Sequence, residues 1–233
     1  MRLLNILRYD ALFQWRHRFY HAYFLLTILY VLALQHLDGA AARMAATLFL
    51  LSDTAPLGFF FIGGLILLEK GQRLHDGLFV TPLTVLEYLL SKVLSLSFVA
   101  LLSALAILLA AFGGIQNAAL FVPGFILSSA FYTLFGVLFA VHARHVNDYF
   151  AKALLAGLLL CVPVVGLFGI ADHALFLLFP TKATILLIQL AFGEVNTGQQ
   201  IYAFAATSLW LIAAGWAAYR GLWQHIILKV GTQ

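Results

Sequence analysis

The chain reads as long apolar runs separated by short polar breaks, and the runs have the length of membrane crossings. Phe19 to Leu37 contains no Asp, Glu, Lys or Arg and predicts a first span over 19–37. A second is predicted over 45–68, with Asp53 as its one charge. From Val93 to Ala143 there is no charged residue. At ~1.5 Å per residue that run is too long for a single ~30 Å crossing and suits two. Gly113-Gly114-Ile115-Gln116-Asn117 divides it into spans 93–112 and 120–142, with Pro123 expected in the first turn of the second helix. A fifth span is predicted over 153–171, kinked at Pro163, and a sixth over 199–219, which carries Trp210 and Trp216. None of these runs has the period-2 alternation or the shorter segments of a membrane barrel, so the spans are helices.

Two segments fit neither a span nor a loop. Residues 173–193 contain the short apolar pieces Ala174–Phe179 and Ala183–Phe192, split by Pro180-Thr181-Lys182. Pieces of this length suit an external re-entrant helical pair better than a crossing. The alternative is a seventh span broken by proline. The N-terminal 1–18 segment repeats Leu4, Leu7, Ala11 and Trp15 at helical spacing, with Arg2, Asn5 and Arg16 on another side. That pattern predicts an amphipathic helix lying in the membrane interface.

Composition sharpens the class. Hydrophobic residues make up 64% of 233 positions and charged residues 9%, with mean hydropathy +1.00. No soluble fold of this length hides that much apolar surface, so the chain is an all-α polytopic membrane protein, one transmembrane domain over 1–233. Cys161 lies in an apolar run and has no second cysteine to pair with. The net charge of +4 is explained by membrane topology and lipid headgroups, not by nucleic acid. With six spans, Arg2, Arg8, Arg16, Arg18, Lys70, Arg73, Lys92, Arg144, Lys152, Arg220 and Lys229 fall on one side and only Arg43 and Lys182 on the other. The positive-inside rule places the larger set, and both termini, in the cytosol. A seventh span would move Arg220 and Lys229 outside and weaken the bias.

The main polar interruption lies between spans two and three, in a cytosolic region over 69–92. Its residues are similar to the linker of ABC-2 exporter permeases, approximately E-R-E-x-G-T-L-E-x-L-L-V-T-P-L followed by a helix with a lysine. Glu69 and Lys70 match the opening acid–base pair, and Asp76 stands at the later acid. Leu78, Val80, Thr81, Pro82 and Leu83 match directly, with Glu87 and Lys92 in the following helix. Gly71, Arg73 and Leu74 depart from the pattern. The run from Val80 through Lys92 most resembles the drug-export branch, including fluoroquinolone-type permeases.

The resemblance implies a multi-pass subunit of the cell (inner, cytoplasmic) membrane that exports a drug-like or amphipathic substrate. It implies two separate nucleotide-binding ATPase subunits, which hold ATP and Mg, and a second permease subunit, identical or related. Glu69, Lys70, Arg73, Asp76, Leu78 and Pro82 would then couple ATPase movement to the spans. Independently of the family, Asp76–Phe79 could form a short cytosolic helix ended by Pro82, and Thr81 or Thr84 could cap the next span. The other reading of this region is an ordinary interfacial loop.

Asp53, between Ser52 and Thr54 and just before Pro56, is the acid inside a span. Pro56 has no N–H for the Ser52 carbonyl, which loosens the helix there. Ser52, Asp53 and Thr54 are candidates for the translocation path; the competing reading pairs Asp53 with Arg43 or Lys182. His142, His145 and Asp148 lie at a span end with no further ligand, and no metal site is assigned to them. No G-x-x-x-x-G-K-[ST] loop occurs, and no catalytic or cofactor-binding residues are assigned. Two other functions stay open: an ion-gradient-driven secondary transporter, and a membrane-embedded lipid-modifying enzyme.

Overall fold

The computed structural model describes residues 2–72, 74, 83–143, 145–170 and 173–225, and these are helical throughout apart from short connections. In order they form α1 (Arg2–Arg16), α2 (Phe19–Leu34), α3 (Gly39–Ser52), α4 (Gly58–Gly71), α5 (Val85–Phe112), α6 (Ala118–His142), α7 (Val146–Leu160), α8 (Pro180–Gln189) and α9 (Thr197–His225). A π-turn, Asp53–Leu57, joins α3 directly to α4, so Gly39–Gly71 runs as one broken helix of 33 residues. Together with α5, α6 and α9 it is long and apolar enough to cross a membrane. A fifth crossing follows if α7 and the 3-10 segment Val162–Phe168, bent by 44° at Cys161, count as one. The 16-residue α2 is shorter than these, with a rise of about 24 Å.

The ends of these helices follow local chemistry. Thr84 caps α5 with a reciprocal box: its hydroxyl accepts from Glu87 N at 3.2 Å, while Glu87 Oε2 accepts from Thr84 N at 2.9 Å. That cap starts the helix at Val85, so residues 85–92 of the predicted cytosolic region are already the first turns of α5. The same helix stops at Gly113, whose φ of 71° is the left-handed conformation that glycine tolerates. The π-turn contains Pro56, whose missing N–H removes a helical bond and leaves a widened turn.

Several expectations need correction. Pro123 lies inside α6, not in its first turn, because that helix begins earlier, at Ala118. Pro180-Thr181-Lys182 is not a break. Proline is favoured at the first helical position, so these residues are the first turn of α8, and the chain turns at extended Phe179 instead. Helix α1 exposes Asn5 and Arg16 as well as the apolar Leu4 and Trp15, and it adds a buried side that the apolar spacing did not announce. Leu4 and Trp15 are 69% and 62% exposed, whereas Asp10, Phe13 and Gln14 are buried.

Helix α6 is the hub, packed by α9, α4, α5 and α8. Close approach needs small residues at the crossings. A side chain at Gly136 would meet Phe59 O at 2.8 Å as well as Ile62, and one at Gly63 would enter the Tyr149 ring. The Tyr149 hydroxyl donates to Phe59 O and ties α7 to α4.

Candidate functional site

At the predicted inner end, three helices meet around one cation. Lys92 on α5 contacts Asp10 of α1 at 2.6 Å and also pairs with Glu69 of α4. All three side chains are no more than 1% exposed. The remaining lone pairs are served locally: Ser91 donates to Asp10, and Tyr88 donates to Glu69 at 2.5 Å. Gln14 of α1 donates to Ser95 at 2.8 Å, and Ser95 donates to the Lys92 carbonyl at 3.1 Å. Burial pushes the Asp10 carboxyl above its ordinary range, and Lys92 and Ser91 pull it back only in part.

This arrangement explains the buried side of α1. Asp10 turns inward to its partner, while Arg8 and Arg16 stay exposed with Leu4 and Trp15. The Lys92 chain fills the meeting point of α1, α4 and α5, so the flanks of the 69–92 region are one packed unit. Next to it, Lys70 donates to Ala140 O, Val141 O and Ala143 O at 3.0, 2.8 and 3.3 Å. An ammonium at these last carbonyls satisfies orphan acceptors and complements the negative end of α6.

The structure therefore brings Glu69 and Lys70 together with Asp10 and Lys92, in two adjacent polar clusters. Asp10 was not singled out from the sequence. Its signal was an acid one turn from Gln14 on a helix flanked by lipid-facing residues. Arg73, Asp76, Leu78 and Pro82, and the Asp76–Phe79 segment, lie outside the described residues.

A second polar centre sits about 24 Å of helix rise from Glu69, at the π-turn. Asp53 is fully buried and its Oδ2 accepts from Ser103 of α5 at 2.7 Å. Ser103 also contacts Thr27 of α2 at 2.7 Å, and Thr27 donates to Tyr23 O at 2.8 Å. Among the described residues, Asp53 Oδ1 has no hydrogen-bond partner. The Tyr30 and Ser52 hydroxyls meet at 2.7 Å, and Thr54 turns back onto Leu50 O and Leu51 O. Thus Ser52 and Asp53 link three helices, while Thr54 serves its own turn. The alternative pairing with Arg43 is not formed, because Arg43 reaches Glu194 at 2.6 Å, with both side chains over 40% exposed.

The remaining polar candidates are dispersed. His142 Nδ1 bonds Leu138 O at 2.7 Å, and Asp148 pairs with Lys152 one turn on. Among the described residues no cluster of three metal-ligating side chains occurs.

Comparison with known proteins gives one family. The profile described as the Fluoroquinolones export permease protein family matches residues 1–230. Two curated relatives are the fluoroquinolones export permease proteins of Mycobacterium tuberculosis strains CDC 1551 / Oshkosh and ATCC 25618 / H37Rv. Each is 28% identical over 215 residues, covering 92% of this chain and 91% of the relative. No solved structure matches the chain.

Proposed function

Because the chain belongs to the fluoroquinolone export permease family, we propose that it is the transmembrane subunit of an ATP-driven exporter of drug-like, amphipathic compounds. The observation that carries this reading is the family match along nearly the full length of the chain, whose described residues form four or five membrane-length helices. In this proposal α2 is the first of six spans, the α3–α4 helix the second, and the α7 pair the fifth. Residues 173–193 dip in from outside, and both termini are cytosolic in the inner membrane. A second permease subunit completes the path, and two nucleotide-binding subunits supply ATP hydrolysis. They press on the 69–92 region at Arg73, Asp76, Leu78 and Pro82, and Glu69 and Lys70, packed among the helices, pass the movement on.

The buried Asp10–Glu69–Lys92 unit supports that assignment mechanically. A force on residues between α4 and α5 is delivered to both helices and to α1 at once, since one ammonium holds all three. Ser52, Asp53 and Thr54 are placed on the export path, where the π-turn gives the second span a bend.

The test is energy dependence. The chain is purified with its nucleotide-binding partner, reconstituted in liposomes, and assayed with a fluorescent fluoroquinolone. Transport is expected with ATP and Mg in the absence of an ion gradient. The gradient-driven alternative draws on the broken span at Asp53, a feature of secondary transporters. Transport driven by a proton or sodium gradient without nucleotide would establish that alternative and overturn the proposal.

A further inference from the structure

Asp10 and Gln14 fasten α1 across α5 at Lys92 and Ser95, and a groove of about 640 Å³ opens beside that crossing. Leu4 and Arg8 of α1 line it together with Leu94, Ser97, Phe98 and Leu101 of α5. Leu94, Phe98 and Leu101 are 42%, 61% and 51% exposed, so the groove is open along its length. Between the first and last of them it follows α5 for about 10 Å. Arg8 and Ser97 stand out in a lining that is mainly apolar. Arg8 is exposed and makes no hydrogen bond or ion pair with the described residues. Ser97 is 2% exposed, and its hydroxyl has no partner among the described residues. Among those residues no acid lines the groove.

The exposed side of α1 carries Leu4 and Trp15 beside Asn5, Arg8 and Arg16. That mixture suits neither water nor hydrocarbon and matches the headgroup layer, where indole rings and arginines both settle. From that layer α5, a helix of membrane length, leads into the hydrocarbon.

We propose that the groove holds one phospholipid of the leaflet in which α1 lies. Its phosphate sits on Arg8, an ester carbonyl accepts from the Ser97 hydroxyl, and an acyl chain runs along Phe98 and Leu101. A guanidinium matches phosphate geometry, and at the edge of hydrocarbon it is costly without an anion. A buried hydroxyl without a partner is costly as well, and an ester carbonyl is the acceptor that a phospholipid supplies a few ångströms below its phosphate. The order of the groups selects the occupant: cation on α1, hydroxyl next, apolar floor beyond. A free phosphate ion uses Arg8 alone and leaves the apolar floor bare. An acyl chain without phosphate leaves Arg8 unpaired. The site is independent of the export reading, since it needs only α1 at a membrane surface.

The experiment titrates the full-length protein in detergent with dioleoylphosphatidylglycerol and follows the one-lipid adduct by native mass spectrometry. Arg8→Gln is expected to weaken binding roughly tenfold, the loss of one charge-assisted contact. Ser97→Ala removes a hydroxyl without stranding a partner and is expected to weaken it roughly threefold. Arg16→Gln changes an exposed arginine of the same helix that lies outside the groove, and is expected to change binding less than twofold. Dioleoylglycerol, with the same chains and no phosphate, is expected to bind roughly tenfold more weakly than the phospholipid. Glycerol phosphate, with no chains, is expected not to displace it.

Equal losses in Arg8→Gln and Arg16→Gln would reduce the effect to general attraction to a basic surface and overturn the proposal. Dioleoylglycerol binding as tightly as the phospholipid would mean that only the apolar floor is used, and competition by glycerol phosphate would leave an ion site without a lipid; either result overturns it. Adducts confined to the monomer and lost from a dimer would give the groove to a second copy of the chain, and displacement of the lipid by a fluoroquinolone would give it to a transported compound, again overturning it.

Discussion

Replacing Lys92 by Met tests whether the inner ionic unit holds the fold together. Met matches the length of the lysine chain and keeps the apolar contacts, but it leaves Asp10 and Glu69 buried without their cation. Removing one member of a buried pair costs about 3–5 kcal/mol, because the remaining charge stays desolvated. Here two carboxylates are stranded, and each keeps one hydroxyl donor, Ser91 or Tyr88. The hydroxyls offset part of the second penalty, so the same range is expected for the unit. For a chain of this size that is a fall in melting temperature of roughly 6–20 °C. The assay is thermal unfolding in detergent, followed by the reaction of Cys161 with a thiol-activated fluorophore as it becomes accessible. The triple variant Asp10→Leu, Glu69→Leu, Lys92→Met removes all three charges and is expected to recover most of the loss. A Lys92→Met protein that melts within about 2 °C of wild type would refute the reasoning, since buried unpaired carboxylates cannot be that cheap.

Three further outcomes are expected. Asp53→Asn retains an acceptor for Ser103 and should melt within about 2 °C of wild type, while Arg43→Ala, breaking an exposed pair, should cost under ~1 kcal/mol; a large, equal loss in both would restore the rejected Asp53–Arg43 pairing. Gly136→Ala drives a methyl group toward the Phe59 carbonyl and Ile62, and is expected to cost about 1–3 kcal/mol; an unchanged melting curve would show that α4 and α6 do not cross as described. With Cys161 replaced, cysteines at His75 and Gln233 should react with an impermeant thiol reagent only once the cytosolic face is opened, and those at Gly39 and Asn117 in intact cells. External labelling at Gln233 would replace six spans with seven.

The apolar pattern revealed the helices because lipid demands internal satisfaction of every backbone group, and the local sequence states where that demand applies. Caps and turns were legible for a similar reason: Thr84 with Glu87, and Gly113 at a left-handed position, are short-range chemistry. The buried side of α1, with Asp10, Phe13 and Gln14, was not legible. Amphipathic reading assumes that charge seeks water, but beside a bilayer the low-exposure partner was Lys92, 82 residues away. The adjacent pair Glu69-Lys70 likewise looked like one feature. Successive helical residues point about 100° apart, so Glu69 turns toward α5 and Lys70 toward the end of α6. The 44° bend at Cys161 was foreshadowed by Pro163, but the direction in which the chain leaves it depends on packing against α8.

The two polar centres acquire a joint meaning because they use the same pair of helices. α5 is joined to the α3–α4 helix at the inner end through Lys92 and Glu69, and again higher up through Ser103 and Asp53. Between those ties the two helices move as a strut, since changing the angle between them breaks either an ion pair or a hydrogen bond to a buried acid. The upper tie falls on Asp53, the first residue of the π-turn, where Pro56 has already removed a helical bond. Bending therefore costs least immediately beyond that tie. In the proposed exporter, a displacement applied between α4 and α5 would be carried about 24 Å along this strut to a bend at Asp53–Leu57. An apolar cavity of about 190 Å³ begins at that turn, with Pro56 in its wall, so a bend there would change its shape.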